Sequence, residues 1–408
     1  MMRRSQPHHP IGLMPPRTDP EPASPPEPIS NGPAETEAGG VLTVDLAALQ
    51  ANWRRLGREA VPVECAAVVK ADAYGCGIEE VGPALATAGC TTFFVADLTE
   101  ARRLRAVLPR GDIYVLNGAL PGSGPAFADV NARPVIGSLL ELAEWDRFVA
   151  GSKWQGGVAL HVDTGMNRLG MSAEEVIALA PRLLRENHGI ALLMSHLACA
   201  ETPTHPLNDR QIRLFREIRV QFRGLPASLA NSSGIFLGEP AHCDMVRPGV
   251  ALYGVNPTPG KPNPMQPVVG LQARIVQVRP VGKGETVGYG GAWTAKHPAR
   301  IAVVAVGYAD GYPRAASLAN GASGGEAIVA ATRCPLAGRI SMDLMAIDVT
   351  ELADGDVRRG EYATLIGDDI TVDDVAAHGG TIGYEVLTRL GRRYHRVYRE
   401  ASTLIQQS

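Results

Sequence analysis

Hydrophobic and polar positions alternate in blocks along the chain. Short apolar runs rich in β-branched residues recur at 66–69, 92–96, 113–116, 134–136, 158–162, 191–194, 228–230 and 244–246. Between them the apolar positions take a helical spacing, as in Leu139, Leu140, Leu142, Ala143 and Trp145, or Ile212, Leu214, Phe215 and Ile218. A strand covered on both faces reads as a continuous apolar run, so this rhythm predicts parallel strands under a layer of helices. About eight such units within residues 41–265 predict an α/β fold. The count favours a closed (β/α)8 TIM-like barrel over an open doubly wound sheet.

Past residue 265 the period changes. The run 271–278 alternates like a half-buried strand, 281–284 reads as a turn, and 301–306, 327–330 and 363–366 are short apolar runs between glycine-rich loops. A helical stretch follows at 384–390. Residues 266–408 are therefore predicted to form a β-rich C-terminal domain. Residues 1–40 hold ten of the chain's 31 prolines and show no apolar period. Such a segment cannot bury enough surface to offset its ordering entropy, and is predicted to be a disordered extension.

Composition narrows the function. With 408 residues, 45% of them hydrophobic, the chain can build a large barrel and a second core. A net charge of −3 supplies no field for nucleic acid or an anionic membrane. No run approaches the ~20 apolar residues of a membrane span, and the first residues lack the apolar stretch of a secretory signal. Six cysteines without paired spacing suit free thiols in a reducing compartment, so a cytoplasmic enzyme with no metal site is expected.

Barrel enzymes keep their chemistry at the C-terminal ends of the strands. The polar residues there are Lys70, Asp163 to Arg168, Ser195-His196, Asn231-Ser232 and Arg247-Pro248-Gly249. A strand-end lysine can react with a carbonyl. Arginines and Ser/Gly turns with exposed N–H groups suit a phosphate. Together they suggest pyridoxal phosphate, although a barrel for sugar phosphates would look much the same. Taken singly, Lys70 is an ordinary rim lysine, His196 a satisfied loop histidine, Ser232 a helix cap, and Arg168 and Arg247 partners for Asp163 and Asp244.

The sequence words are more specific. Ala67-Val68-Val69-Lys70-Ala71-Asp72-Ala73-Tyr74-Gly75 resembles the pyridoxal-lysine signature of alanine racemases. So do the stretches His161 to Gly170, Ser195-His196-Leu197, Ala230-Asn231-Ser232 and Arg247 to Gly254. In the second domain Val287-Gly288-Tyr289-Gly290, Gly307 to Gly311, Gly338 to Asp343 and Gly383-Tyr384-Glu385 follow in the family's order. The resemblance covers about residues 42–400.

It implies that Lys70 holds pyridoxal 5'-phosphate as an internal aldimine and later acts as one acid/base. Tyr289 is the second base, on the opposite face and in the partner's barrel, which makes a homodimer part of the site. Racemisation requires this pair, because one face loses the Cα proton and the other regains it. Tyr74, Ser232, Gly249, Val250 and Tyr384 match phosphate contacts, the glycine and valine through their amides. His196 and Asn231 match the cofactor's surroundings, and Arg247 matches the residue facing the pyridine nitrogen. Arg168 and the backbone of Met342 match contacts to the substrate carboxylate, and Tyr308 an entrance tyrosine. The implied reaction interconverts L- and D-alanine for peptidoglycan. Four positions depart from the common pattern. His161 replaces a lysine that becomes carbamylated, Cys76 a histidine, and Gly288 and Ser341 a serine and a cysteine.

Overall fold

The computed structural model describes residues 32–152, 154, 156–185, 189–318 and 324–400. Parallel strands run in the order Glu64–Cys65, Met245–Val246, Ala227–Ser228, Ile190–Met194, Val158–His161, Arg133–Ile136, Asp112–Val115, Thr92–Val95 and Ala67–Val68. The two outer segments of that order are separated in the chain by Ala66 alone. One broken strand therefore pairs Cys65 with Val246 on one side and Ala67 with Phe93 on the other. Across the break, the N–H groups of Ala66 and Val68 donate to Val246 and Pro248 (3.0 and 2.9 Å). The sheet closes into an eight-stranded barrel, and each of the eight apolar runs between residues 66 and 246 lies on or beside one of its strands.

Helices Ile78–Ala88, Leu98–Val107, Gly124–Val130, Leu139–Gly151, Ala173–Arg185 and Pro206–Gln221 alternate with the strands. Side-chain caps start four of them: Asp97 accepts from the Glu100 amide (3.0 Å), Ser138 from the Glu141 amide (3.2 Å), Ser172 from the Glu175 amide (3.2 Å) and His205 from the Leu207 amide (3.1 Å). Among the described residues, no helix is long and apolar enough to cross a membrane.

The second domain is built on the strand Val269–Val281. Its first half lies between Tyr362–Ile366 and Gly40–Asp45, both antiparallel to it. After an irregularity between Ile275 and Gln277, its second half pairs with Ala299–Val304. Gly40–Asp45 in turn pairs in parallel with His395–Arg399.

This changes two sequence-based boundaries. The strand Gly40–Asp45, expected in the barrel segment 41–265, belongs to the second sheet, because a Val-Leu-Thr-Val pattern fits either sheet and its partners lie far along the chain. The disorder expected over 1–40 also does not hold for residues 33–40. Ala38 is buried, the Pro33 carbonyl faces His395 Nδ1 at 3.1 Å, and the Glu35 carbonyl accepts from Arg274 Nη2 at 2.9 Å. Residues 1–31 lie outside the described residues.

Candidate active site

The barrel mouth holds a cavity of about 310 Å³. Lys70 enters it from beyond Ala67–Val68, Arg168 from the loop after Val158–His161, and His196 from beyond Ile190–Met194. Asn231 and Ser232 follow Ala227–Ser228, while Arg247, Gly249 and Val250 follow Met245–Val246. Tyr74 and Tyr384 complete the wall, the latter from helix Gly383–Thr388 of the second domain. The structure thus brings together all the residues expected around the cofactor.

Lys70 stands at the head of a strained turn. Ala71, Asp72, Ala73 and Tyr74 all adopt left-handed backbone, with φ between 53° and 56°, and none is glycine. That conformation costs about 1–2 kcal/mol per residue, so surrounding bonds must hold it. The N–H of Ala73 donates to Val69 O (2.9 Å), that of Gly75 to Ala71 O (2.8 Å) and that of Gly77 to Asp72 O (2.9 Å). The result aims both Lys70 and Tyr74 into the cavity. Burial, then the charge of Arg168, lowers the Lys70 pKa, while Glu100 opposes them. A lowered pKa favours the free amine, the form that attacks a carbonyl.

Opposite the lysine, Ser232 Oγ accepts from the amides of Gly249 (2.9 Å) and Ala251 (3.3 Å), so its own O–H remains to donate. The Val250 amide between them makes no hydrogen bond among the described residues. Gly249 also supplies space: a Cβ there would lie 2.3 Å from the Tyr74 hydroxyl. Tyr74 also stacks on Tyr253, with ring centroids 4.7 Å apart.

Arg247 forms the floor. It is buried, donates to Ser228 Oγ and to Ser195 O (2.6 Å), and reaches His196 Nδ1 at 3.5 Å. Burial first, then neighbouring cations, pushes His196 down to about 3. Burial and then Arg247 push His161, also in the cavity, down to about 4. Both imidazoles are therefore neutral near pH 7. With Lys70, Arg168 and Arg247 on its wall and no carboxylate among the lining residues, the hollow is built for an anion.

The bland pairings of these arginines do not form. Asp244 binds Arg219 (2.6 Å) instead of Arg247. Asp163 folds its own loop: one oxygen, Oδ1, accepts from the amides of Gly165, Met166 and Asn167 at 2.8, 2.9 and 3.2 Å. The Arg168 side chain, carried by that loop, has no hydrogen-bond partner among the described residues, so it is available to a ligand. Asp163→Ala frees three amides at once. We expect the fold to lose about 1–3 kcal/mol in denaturant unfolding, with a larger effect on substrate KM than on kcat because Arg168 loses its aim.

Tyr289, Tyr308 and Met342 do not line the cavity. They lie on the second domain, 69%, 39% and 54% exposed. The amides of Tyr308 and Ala309 donate to the carbonyls of Ser341 and Met342 (3.0 and 2.9 Å), which joins two of these loops. A Cβ on Gly290 would touch the Arg339 side chain, so the Tyr289 loop lies beside the same group.

Comparison with known proteins assigns the chain. Residues 44–257 match the alanine racemase N-terminal domain and residues 268–398 the alanine racemase C-terminal domain. The chain belongs to the alanine racemase family. An alanine racemase of Methylobacterium nodulans is 54% identical over 91% of this chain and 99% of its own. A relative from Mesorhizobium japonicum, named a catabolic alanine racemase, is 46% identical over 90% of this chain and 94% of its own. Among solved structures, the Bartonella henselae alanine racemase with covalently bound pyridoxal phosphate superposes with a TM-score of 0.82. It is 37% identical and covers 88% of this chain and 99% of that one.

Sequence reasoning overlooked part of this alanine racemase site. Leu116 and Asn117 line the cavity without having been singled out. Gln211, fully buried, donates to His196 O (2.8 Å) and Thr164 Oγ1 (3.2 Å) and accepts from the Ala198 amide (2.9 Å), tying two rim loops together. A glutamine on the apolar face of a helix was the available signal.

Proposed function

We propose that the protein interconverts L- and D-alanine in the cytoplasm, as a homodimer using pyridoxal 5'-phosphate, and supplies D-alanine for peptidoglycan. The observation that carries this reading is the cationic cavity at the barrel mouth with one amine, Lys70, at its edge. The donor set fits the cofactor: an amine for its aldehyde, and the Ser232 hydroxyl, the free Val250 amide, Tyr74 and Tyr384 for its phosphate. When bound, pyridoxal phosphate supplies the electron sink that makes a Cα–H acidic.

The chain's own groups do the rest. Lys70 holds the cofactor and, once released by the incoming amine, moves a proton at Cα from the face that serves D-alanine. Tyr289 moves the proton on the face that serves L-alanine. Arg168 binds the substrate carboxylate, helped by the Met342 amide, and Tyr308 limits side-chain size at the entrance. Arg247 is held by buried acceptors and keeps its protons, so it would offer the bound cofactor hydrogen bonds but no transferable proton, which would temper the electron sink and limit side reactions.

Tyr289, Tyr308 and Met342 are absent from the cavity of their own chain, and a second copy is the source the reading assigns to them. Racemisation has an equilibrium constant of one, so supply and removal of alanine set its direction, not the site. The test is chiral analysis of L-alanine incubated with the purified protein and pyridoxal phosphate, followed by rescue of a D-alanine auxotroph. D-alanine formation and rescue support the reading. Faster turnover of serine would point to a relaxed racemase, release of carbon dioxide to a decarboxylase, and binding without turnover to a cofactor carrier.

A further inference from the structure

We propose that Glu100 is a positioning residue for Lys70, locking the left-handed turn on which the lysine stands by accepting the amides of Asp72 and Ala96. The inference rests on the reading of Lys70 as the reactive amine. Glu100 lies in the first turn of helix Leu98–Val107. One carboxylate oxygen takes the Asp72 N–H at 3.1 Å and the other the Ala96 N–H at 2.8 Å. Asp72 follows the strand that leads into Lys70, and Ala96 directly follows the neighbouring strand Thr92–Val95. A single side chain therefore staples two adjacent strand ends beneath the lysine.

One helical turn on, Arg103 reinforces the same point. Its Nη2 donates to Asp72 Oδ1 at 2.6 Å, while Nε and Nη2 grip the two oxygens of Glu79 at 2.6 Å each. Asp72 Oδ1 also accepts the Ile78 amide at 3.1 Å. Both the backbone and the side chain of Asp72 are thus held by one helix. Four consecutive left-handed residues without glycine do not keep that shape unaided.

Charge adds a second effect. Lys70 faces the cations Arg168 and Arg247, the neutral imidazoles of His161 and His196, and the phenols of Tyr74 and Tyr384. Glu100 acts on it from outside the cavity, favouring the ammonium against burial and Arg168. Glu100 thereby sets where the amine sits and how readily it keeps its proton.

The experiment compares the wild type, Glu100→Gln, Glu100→Asp and Lys70→Ala. For each, cofactor-free protein is mixed with pyridoxal phosphate across a pH series. Covalent capture at Lys70 is followed by borohydride reduction and mass spectrometry. Gln can satisfy only one of the two amides and removes the charge. Its capture rate should fall at the high-pH plateau, and the midpoint of the pH profile should move to lower pH. Asp keeps the charge but is too short to bridge both amides, so its plateau should fall with the midpoint unmoved. In alanine turnover, kcat of Glu100→Gln should fall roughly 10- to 100-fold with KM little changed. Wild-type kcat and an unshifted profile in Glu100→Gln would overturn the proposal. So would a loss no greater than the unfolded fraction measured by thermal melting. Racemisation surviving in Lys70→Ala would instead overturn the underlying reading.

Discussion

Replacing Lys70 with alanine should abolish racemisation and covalent retention of pyridoxal phosphate together. Lys70 is the lysine of the cavity wall, and its amine is poised by burial for attack on a carbonyl. On the proposed function, losing it removes the covalent anchor and one of the two proton-transfer groups. Either role alone is worth roughly 10²–10⁴-fold, so kcat should drop by at least ~10⁴-fold. Fold stability should change little, because the strain lies in residues 71–74 and alanine keeps the backbone bonds around them. Chiral chromatography of the product and mass spectrometry after borohydride reduction check both losses. Turnover within tenfold of the wild type would place the reactive amine elsewhere. Partial recovery with added methylamine would show that the missing amine, and not a collapsed turn, is the defect.

The second large effect concerns Tyr289. Its phenol is exposed on the second domain, outside the cavity of its own chain. Tyr289→Phe should lower kcat by roughly 10²–10⁴-fold, the usual worth of a general base, while cofactor capture by Lys70 stays intact. The proposed sharing of sites between two copies makes a sharper expectation. Inactive Lys70→Ala dimers mixed with inactive Tyr289→Phe dimers should regain activity as subunits exchange. Each mixed dimer carries one site with both defects and one with neither, so full exchange restores about a quarter of wild-type turnover. No recovery despite proven exchange would mean that Tyr289 serves its own chain or none.

Much of the barrel is legible in the sequence because its strands are buried on both faces and read as unbroken apolar runs. The rim residues are legible for the same reason: Lys70, His196, Ser232 and Arg247 are polar residues placed where an apolar run ends. What stayed hidden depends on contacts distant in sequence. The strand Gly40–Asp45 looks like any half-buried strand, and only pairing with Val269–Val281 and His395–Arg399 shows which sheet owns it. Nothing in Ala71-Asp72-Ala73-Tyr74 announces left-handed backbone, since glycine is the usual marker. The roles of Asp163, Gln211 and Glu100 rest on bonds to main-chain amides and carbonyls, which leave little trace in residue type or spacing. Tyr289, Tyr308 and Met342 stood out only through resemblance to a family, because their own chain gives them no partner in the cavity.

The place of Gly40–Asp45 between Val269–Val281 and His395–Arg399 bears on how the molecule is assembled during synthesis. The strand precedes every barrel strand in the chain, yet its parallel partner His395–Arg399 follows them all. All the barrel strands leave the ribosome in the interval, and domains generally form as their residues become available. Pairing across so long a stretch of chain is slow to nucleate. Tyr384 sits shortly before that partner strand, so the mouth of the barrel gains this wall only after every barrel strand has been made. A nascent chain can thus own every barrel strand and Lys70 before it owns the wall that Tyr384 gives the cavity.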